Sequence, residues 1–196
     1  TPLAVMQTNL EVFARKKTPT IEEYQDIFGM IQNQTERLSH LSEVLLDMTG
    51  IQSVERSDFI SLAELTDEVC CDLASIADQK KVELIQEEGD CTVTGSYLLL
   101  YRAVYNLVEN AIKYNHSGGK VTVKISQTKA LPAAHSKPAD YALVEVTDTG
   151  IGISPEYQEK IFDPFFRVDK SRSRAMGGAG LGLALVNEIA RQHGGQ

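Results

Sequence analysis

The chain has few cysteines, no long apolar run and no excess of basic residues. It holds 3 cysteines in 196 residues, Cys70, Cys71 and Cys91, an odd number without the spacing of a metal site, so we expect reduced thiols. A net charge of −8 argues against a nucleic-acid-binding protein. The apolar clusters fall short of the about 18–20 residues of a membrane-spanning helix. We therefore expect a cytoplasmic module, with any membrane segment outside this piece.

Two standard nucleotide-binding motifs are also missing. No Gly-Lys-Ser/Thr follows a glycine-rich loop, and no G-x-G-x-x-G opens a βαβ unit at the first predicted strand. A P-loop or a Rossmann site is therefore a poor interpretation. The hydrophobic content of 42% is enough to bury a core, and the length allows one or two domains.

Two glycine-rich stretches near the C-terminus, residues 148–153 and 177–183, instead predict a nucleotide site. The first follows a strand-like run and places Asp148 at the strand end, where its carboxylate could accept a hydrogen bond from a base amino group. The second precedes an apolar helical run, so amide groups at the helix start could bind a polyphosphate. Taken singly, each stretch is equally well explained as a tight turn and a helix start.

A polar helix face favours the nucleotide interpretation. Asn106, Glu109, Asn110 and Lys113 recur at spacings of three and four within a predicted helix over Tyr97 to Tyr114, so they share one face. Carboxamides and an ammonium group could meet a hydrated Mg²⁺ and phosphate oxygens. The alternative is a solvated helix face, although asparagine twice in mid-helix is unfavourable by propensity.

At this point the sequence resembles the sensor histidine kinases of two-component signalling, whose ATP-binding domain is grouped with gyrase and the Hsp90 chaperones. Asn106-Leu-Val-Glu-Asn-Ala-Ile-Lys-Tyr114 looks like the asparagine box of the family, and Asp148-Thr-Gly-Ile-Gly152 looks like its first glycine box. Ile161-Phe-Asp-Pro-Phe-Phe-Arg-Val-Asp169 resembles the phenylalanine box, and Gly178-Ala-Gly-Leu-Gly-Leu183 resembles the second glycine box. The order and spacing of the four motifs also match.

The resemblance, together with the chemistry of these groups, assigns a role to each motif. Asp148 would fix adenine with Tyr114 near the base, Asn110 and Asn106 would ligate Mg²⁺, and Lys113 and Arg167 would meet phosphate oxygens. Catalytic roles would fall to Arg167, to Glu109 as the group that orients or deprotonates the attacking imidazole, and to Thr1. The expected nucleotide-binding residues are Asn106, Asn110, Lys113, Tyr114, Asp148, Gly150, Gly152, Arg167, Lys170, Gly178, Gly180, Leu181, Gly182 and Leu183.

The first three residues, Thr1-Pro2-Leu3, look like the tail of the phosphoacceptor motif His-Glu-Leu-Arg-Thr-Pro-Leu. The resemblance places the acceptor histidine just upstream of Thr1, whose hydroxyl would then help to hydrolyse the phosphoryl group of a partner; a simple N-cap role for Thr1 is equally compatible. Without that histidine we expect no autophosphorylation of this chain alone. We expect solvated or surface roles for the histidines that are present, His40, His116, His135 and His193.

The predicted fold is α+β in two parts. Residues 1–50 form a helical hairpin, residues 51–60 a linker, and residues 61–196 an α/β sandwich with a mixed sheet that binds ATP. Apolar positions at spacings of three and four along the hairpin predict a dimeric four-helix bundle; packing onto the rest of the same chain is the alternative. The resemblance implies two more strands after the last helix, so we expect that the given sequence is truncated, that some residues were omitted or that another chain completes the sheet.

The resemblance implies a protein-histidine kinase that transfers the γ-phosphoryl group of Mg-ATP to a histidine and then to a response regulator, with phosphatase activity toward that regulator as a further family function. The implied cofactors are ATP and Mg²⁺, and the implied partners are a second copy of the chain and the response regulator. Two other classes stay open: a nucleotide-binding pseudokinase or conformational scaffold, and a chaperone-like or topoisomerase-like ATPase. Those ATPases carry a catalytic glutamate where this chain has Asn106, which favours transfer to a histidine.

Overall fold

The structure, a computed structural model, describes residues 2–50, 54–130, 139–168 and 180–195. Two helices come first, α1 (Pro2–Ala14) and α2 (Ile21–Gly50), and they pack against each other. Near their connection the rings of Phe13 and Tyr24 meet edge to face, with centroids 5.0 Å apart. Thr20 and Glu23 form a capping box: the Glu23 amide donates to the Thr20 hydroxyl, and the Thr20 amide donates to the Glu23 carboxylate. This reciprocal pair fixes the start of α2.

The remaining elements alternate between helices and short strands. In chain order they are β1 (Asp58–Ser61), α3 (Leu62–Lys80), β2 (Glu83–Gln86), β3 (Thr92–Gly95), α4 (Tyr97–Lys113), β4 (Lys120–Ala130), β5 (Ala139–Asp148) and α5 (Gly182–Gln192). Two single turns of 3₁₀-helix, Pro155–Tyr157 and Lys160–Phe162, lie between β5 and α5.

The described strands form two sheets. β1 pairs antiparallel with β3, while the larger sheet has the order β2-β4-β5. Within it β2 and β4 run parallel and β4 and β5 run antiparallel. The predicted α+β class with a mixed sheet is therefore confirmed; the dimeric bundle of the helical pair stays a prediction.

The main core lies between helices α3 and α4 and the three-stranded sheet. Its fully buried members include Leu65, Leu73, Val108, Ile112 and Val121. A second cluster joins α4 to α5 through Leu99, Leu181, Leu185 and Ile189, with Val54 of the connector packed against it. Helices α3, α4 and α5 therefore each have one apolar stripe facing inward, and the polar face of α4 is left for other contacts.

Several details differ from the sequence-based expectations. The stretch assigned to the connector contains strand β1, which the sequence did not predict. The sequence pattern predicts a helix over about residues 62–77, and α3 instead continues to Lys80. It also predicts a strand over about residues 142–146, and β5 instead extends over Ala139–Asp148. Two prolines, Pro132 and Pro138, predict a hairpin loop over residues 129–140. The two ends of this stretch lie inside β4 and β5, and its centre lies outside the described residues.

Two expectations about single residue types have clear outcomes. The three cysteines are free, with Cys91 buried and Cys71 exposed, as reduced core or surface thiols should be. The surface role expected for His193 is wrong. Its ring is partly buried, its Nε2 accepts a hydrogen bond from the Ser96 amide at 3.1 Å, and its Nδ1 lies 2.8 Å from the Ile189 carbonyl. The ring therefore joins the end of α5 to the start of α4.

Helix α3 ends on a residue whose backbone is strained. Lys81 has φ 58° and ψ 45°, the left-handed conformation, and its amide closes the helix by donating to the carbonyls of Ala77 and Asp78. A side chain with a Cβ costs about 1 kcal/mol in this conformation, and glycine does not incur that cost. We expect Lys81→Gly to raise the unfolding temperature by about 2–4 °C.

This expectation is tested by thermal unfolding of the wild type, Lys81→Gly and Lys81→Ala. The alanine variant is the matched control, because it removes the same ammonium group and retains the Cβ. An equal rise of the unfolding temperature in both variants would show that the stabilisation comes from loss of the lysine charge and not from relief of backbone strain.

Among the helices that the structure describes, none has the combination of length and apolar character that would let it cross a bilayer.

Candidate nucleotide-binding site

The polar face of α4 provides the first part of the site. Asn106, Glu109, Asn110 and Lys113 all lie on this helix and are all partly buried. The Asn106 amide nitrogen donates to the Arg102 carbonyl one turn earlier, at 2.8 Å, which fixes the side chain and directs its oxygen away from that bond. A Cβ built on Gly182 would lie 2.6 Å from this oxygen, Asn106 Oδ1. The first residue of α5 therefore lies directly against the polar face of α4.

The electrostatics of α4 favour an anion. Burial lowers the pKa of the Lys113 ammonium group from its ordinary value, the carboxylate of Glu109 opposes that shift, and the guanidinium of Arg167 adds to it. Lys113 and Arg167 thus lie close enough to repel each other. A polyphosphate bound between them would offset the repulsion and favour the charged form of the lysine.

A second lysine reaches the same end of α4 from α3. The Lys80 ammonium group donates a hydrogen bond to the Lys113 carbonyl. Burial, followed by repulsion from Lys113, lowers the pKa of Lys80. Cations near the last carbonyls of a helix also interact favourably with its dipole. Lys80 therefore holds the end of α4, while the side chain of Lys113 can serve a ligand.

The first glycine stretch begins where β5 ends. Asp148 is exposed, and its Oδ1 accepts a hydrogen bond from the Gly150 amide at 2.8 Å. A Cβ on Gly150 would lie 2.5 Å from the Tyr114 carbonyl oxygen, so only glycine fits between the turn and the end of α4. The Ile151 amide donates to the same Tyr114 carbonyl at 3.2 Å. Asp148 is thereby placed beside the last turn of α4.

The described part of the second glycine stretch lies against the phenylalanine-rich segment. Gly180 has φ 74°, and a Cβ there would lie 2.7 Å from the Phe166 carbonyl oxygen and 3.1 Å from Arg167 Cγ. The Phe165 amide donates to the Gly180 carbonyl at 2.8 Å. This packing places Arg167 next to the residues that lead into α5. The Arg167 side chain therefore lies next to the second glycine stretch and also interacts electrostatically with Lys113.

The start of α5 is suited to bind an anion. Its N-cap residue is Leu181, whose side chain cannot accept a hydrogen bond from the amides of the first turn. That side chain is buried, with 1% of its surface exposed, in the cluster that joins α4 and α5. The helix start is thus anchored by apolar packing while its amide groups and positive dipole end can meet a phosphate.

The structure brings most of the sequence-predicted residues to one region and does not describe the others. Gly152 has φ 67° and open space on the side where a Cβ would stand, and Leu183 is partly buried in the first turn of α5. Tyr114 follows the last residue of α4 and is also partly buried. Thr1, Lys170 and Gly178 lie outside the described residues.

Sequence reasoning missed two residues that hold the site together. Asn115 is buried, and its side chain bonds to the Lys120 carbonyl and to the Thr149 hydroxyl. Thr149 also donates its amide to the Lys120 carbonyl. The only sequence signal was a carboxamide two residues after a helix end, which is common near helix termini in general.

Comparisons with known proteins come from a family model, a curated sequence and solved structures. The family model for histidine kinase-, DNA gyrase B- and HSP90-like ATPases matches residues 95–196. The sensor histidine kinase RppB of Synechocystis sp. is 31% identical over 199 residues, which cover 99% of this chain and 42% of RppB. The chain spans less than half the length of the curated relatives it matches.

Among solved structures, the mycobacterial sensor histidine kinase MprB is similar with a TM-score of 0.56 and 28% identity, over 70% of this chain and 80% of that one. The histidine kinase ThkA, solved in complex with the response regulator TrrA, has a TM-score of 0.67 and 20% identity, over 100% of this chain and 52% of that one. The second likeness concerns the fold alone.

Proposed function

Because the chain belongs to the histidine kinase-, DNA gyrase B- and HSP90-like ATPase family, we propose that it is the ATP-dependent part of a sensor histidine kinase. The resemblance drawn from its four motifs is confirmed at the level of the family. The proposed reaction moves the γ-phosphoryl group of ATP to a histidine: the bond from the γ-phosphorus to the bridging oxygen breaks, a bond from phosphorus to an imidazole nitrogen forms, ADP leaves, and the imidazole loses a proton. A response regulator would then receive the phosphoryl group.

The observation that carries this proposal is the proximity of Lys113 and Arg167 beside the start of α5. Two cations that repel each other next to the positive end of a helix dipole are suited to a polyphosphate. Arg167 is the group we assign to the charge that develops on the transferring phosphoryl group. Gly180, Gly182 and the amides of the first turn of α5 would hold the other phosphates.

Other residues of the site are assigned to bind the adenine base and the magnesium ion. Asp148 would accept a hydrogen bond from the adenine amino group, and the Tyr114 ring would pack near the base. Asn110 and Asn106 would offer carboxamide oxygens to Mg²⁺, which ordinarily takes its other ligands from phosphates and water. When bound, the metal would offset phosphate charge. Asn106 Oδ1, which lies 2.6 Å from the position that a Cβ of Gly182 would take, has an orientation that fits this role.

Glu109 is proposed to orient or deprotonate the attacking imidazole. Its carboxylate interacts electrostatically with Lys113, so it lies on the face of α4 that carries the proposed site. For the full protein, we propose that Thr1 orients a water molecule during hydrolysis of the phosphorylated response regulator.

We also propose that residues 1–50 dimerise, that residues 51–60 link them to the ATP-binding part and already contribute strand β1 to its smaller sheet, and that residues 61–196 form the rest of that part. Support for dimerisation comes from apolar side chains exposed along the helical pair. Leu3, Val12, Ile21 and Phe28 keep 63%, 58%, 78% and 67% of their surface exposed. A second copy could cover this surface by completing a four-helix bundle. A cytoplasmic location agrees with the supply of ATP and with three free thiols.

The proposal is tested by ATP binding and by transfer of γ-³²P. The 196-residue chain is compared with a version extended upstream to include the expected His-Glu-Leu-Arg. We expect both to bind Mg-ATP and only the extended version to gain an acid-labile label. A version in which that upstream histidine is replaced by glutamine is the matched control.

The outcomes separate the alternatives. If the short chain labels as strongly as the extended one, the acceptor lies within these residues and the assignment of Thr1 is wrong. ATP binding without label in either version would favour a pseudokinase, whereas steady release of free phosphate would favour an ATPase. A lack of ATP binding in both would leave the scaffold interpretation.

A further inference from the structure

A buried carboxamide joins the end of α4 to the sheet beside Asp148. Asn115 keeps 7% of its surface exposed. Its Nδ2 donates to the Lys120 carbonyl at 3.0 Å, and its Oδ1 accepts from the His116 amide at 3.0 Å and from the Thr149 hydroxyl at 3.3 Å. One side chain thus connects the turn after α4, the start of β4 and the residue after Asp148.

Thr149 and Lys120 extend the β4–β5 ladder past its last paired rung. The last paired rung joins Val121 to Asp148. Beyond it, the Lys120 amide donates to the Thr149 hydroxyl at 2.9 Å, and the Thr149 amide donates to the Lys120 carbonyl at 3.1 Å. The Thr149 hydroxyl therefore accepts from β4 and can donate to Asn115, so that it couples the strand end to the helix end.

Asp148 lies between this network and the glycine turn. Its Oδ1 is held by the Gly150 amide at 2.8 Å, and the turn is held to α4 by the bond from the Ile151 amide to the Tyr114 carbonyl. The separation between the Asp148 carboxylate and α4 depends on these backbone contacts and on the Asn115–Thr149 bond. Of these links, only that bond is made between two side chains, so a substitution of either side chain removes it. A substitution at Thr149 also removes the bond that its hydroxyl accepts from the Lys120 amide, whereas a substitution at Asn115 leaves that bond in place.

We propose that Thr149 and Asn115 are positioning residues that determine base selectivity, because they hold the Asp148 carboxylate where it accepts a hydrogen bond from an exocyclic amino group. This inference rests on the proposed function. Adenine carries an amino group at its 6-position, and hypoxanthine carries a carbonyl oxygen there, which a carboxylate repels. A hydrogen bond weakens steeply outside its preferred geometry, so a loosened Asp148 would favour adenine less. The phosphate contacts on α4, Arg167 and α5 do not depend on this bond.

The test measures the affinities of the 196-residue chain for ATP, ITP and inorganic tripolyphosphate. Thr149→Val removes the hydroxyl with little change of shape, and Thr149→Ser is the matched variant that retains it. We expect Thr149→Val to lower the ratio of ATP to ITP affinity by about tenfold, the equivalent of one lost hydrogen bond. Its tripolyphosphate affinity should stay within about twofold of the wild type. Thr149→Ser should retain the wild-type ratio.

Each outcome is decisive. If Thr149→Val keeps the wild-type ratio, or loses tripolyphosphate affinity to the same extent as ATP affinity, the positioning role is wrong. If the wild type itself does not prefer ATP to ITP, the assignment of Asp148 to adenine fails, and this inference fails with it. If Thr149→Val does not fold, Asn115→Ala removes the acceptor from the other side of the same bond, and the same criteria apply to it.

Discussion

Asp148→Asn should weaken ATP binding by about 100-fold or more. The substitution replaces a carboxylate, which can only accept hydrogen bonds, with a carboxamide that can turn a donor toward the amino group of adenine. A hydrogen bond to a charged group contributes about 1.5–3 kcal/mol, and each 1.4 kcal/mol changes the dissociation constant tenfold. The mutual repulsion of two donors adds to that loss. Titration calorimetry with Mg-ATP measures the effect directly.

The chain offers a matched control for this substitution. Asp140 lies on the same strand, near the opposite end, and is also exposed. Asp140→Asn makes the same change of charge and should leave the affinity for Mg-ATP at the wild-type value. Equal affinity in Asp148→Asn and Asp140→Asn would show that Asp148 does not bind the base. An equal loss in both would indicate a general effect of net charge.

The sequence predicts the elements that carry the site because each is long enough to show its own period. Apolar residues recur along α4 with the helical period, so its length and its polar face could be predicted before any contact was known. The same argument holds for α3, although its end at Lys80 was missed. That end depends on Lys81 adopting a left-handed conformation, and propensity gives no sign of this in a lysine.

Strand β1 shows where local pattern is not enough. It has four residues, and Phe59 within it keeps 85% of its surface exposed, so no alternation of buried and exposed residues marks it as a strand. Its existence depends on pairing with β3, whose partner residues lie more than thirty positions later in the chain. Strand formation of this kind is a property of the tertiary structure rather than of the segment.

The same limit applies to the polar contacts that hold the site. His193 bonds to Ser96, Lys80 to Lys113, and Thr149 to Asn115, and in each pair the partners lie between 33 and 97 positions apart. A sequence pattern could place Asn106 and Gly182 in one proposed site, yet their close approach at the start of α5 follows from the packing of Leu181 against α4. Residue types can be recognised from spacing, whereas their supporting contacts require the fold.

Asn110→Asp should likewise reduce Mg-ATP binding by about 100-fold and abolish phosphoryl transfer. The new carboxylate would stand beside Glu109 on a partly buried helix face that we assign to polyphosphate. Repulsion between this carboxylate and a bound phosphate at about 5 Å would cost about 3 kcal/mol at an effective dielectric constant of about 20. That cost corresponds to about 100-fold in affinity. A carboxylate can ligate Mg²⁺, but the neutral carboxamide would do so without repelling the phosphates.

Two further variants separate the effect of the added charge from the effect of losing the carboxamide that would ligate Mg²⁺. Asn110→Ala removes the carboxamide without adding charge, so we expect it to bind Mg-ATP more tightly than Asn110→Asp and to need more Mg²⁺ for half-maximal binding than the wild type. Asn187→Asp makes the same chemical change at an exposed position of α5 and should bind Mg-ATP normally. Affinities are measured by calorimetry across a Mg²⁺ series, after thermal unfolding has shown that each variant folds. If Asn110→Asp binds as tightly as Asn187→Asp, the metal and the phosphates do not lie at this face of α4, because a carboxylate next to them could not be neutral in its effect.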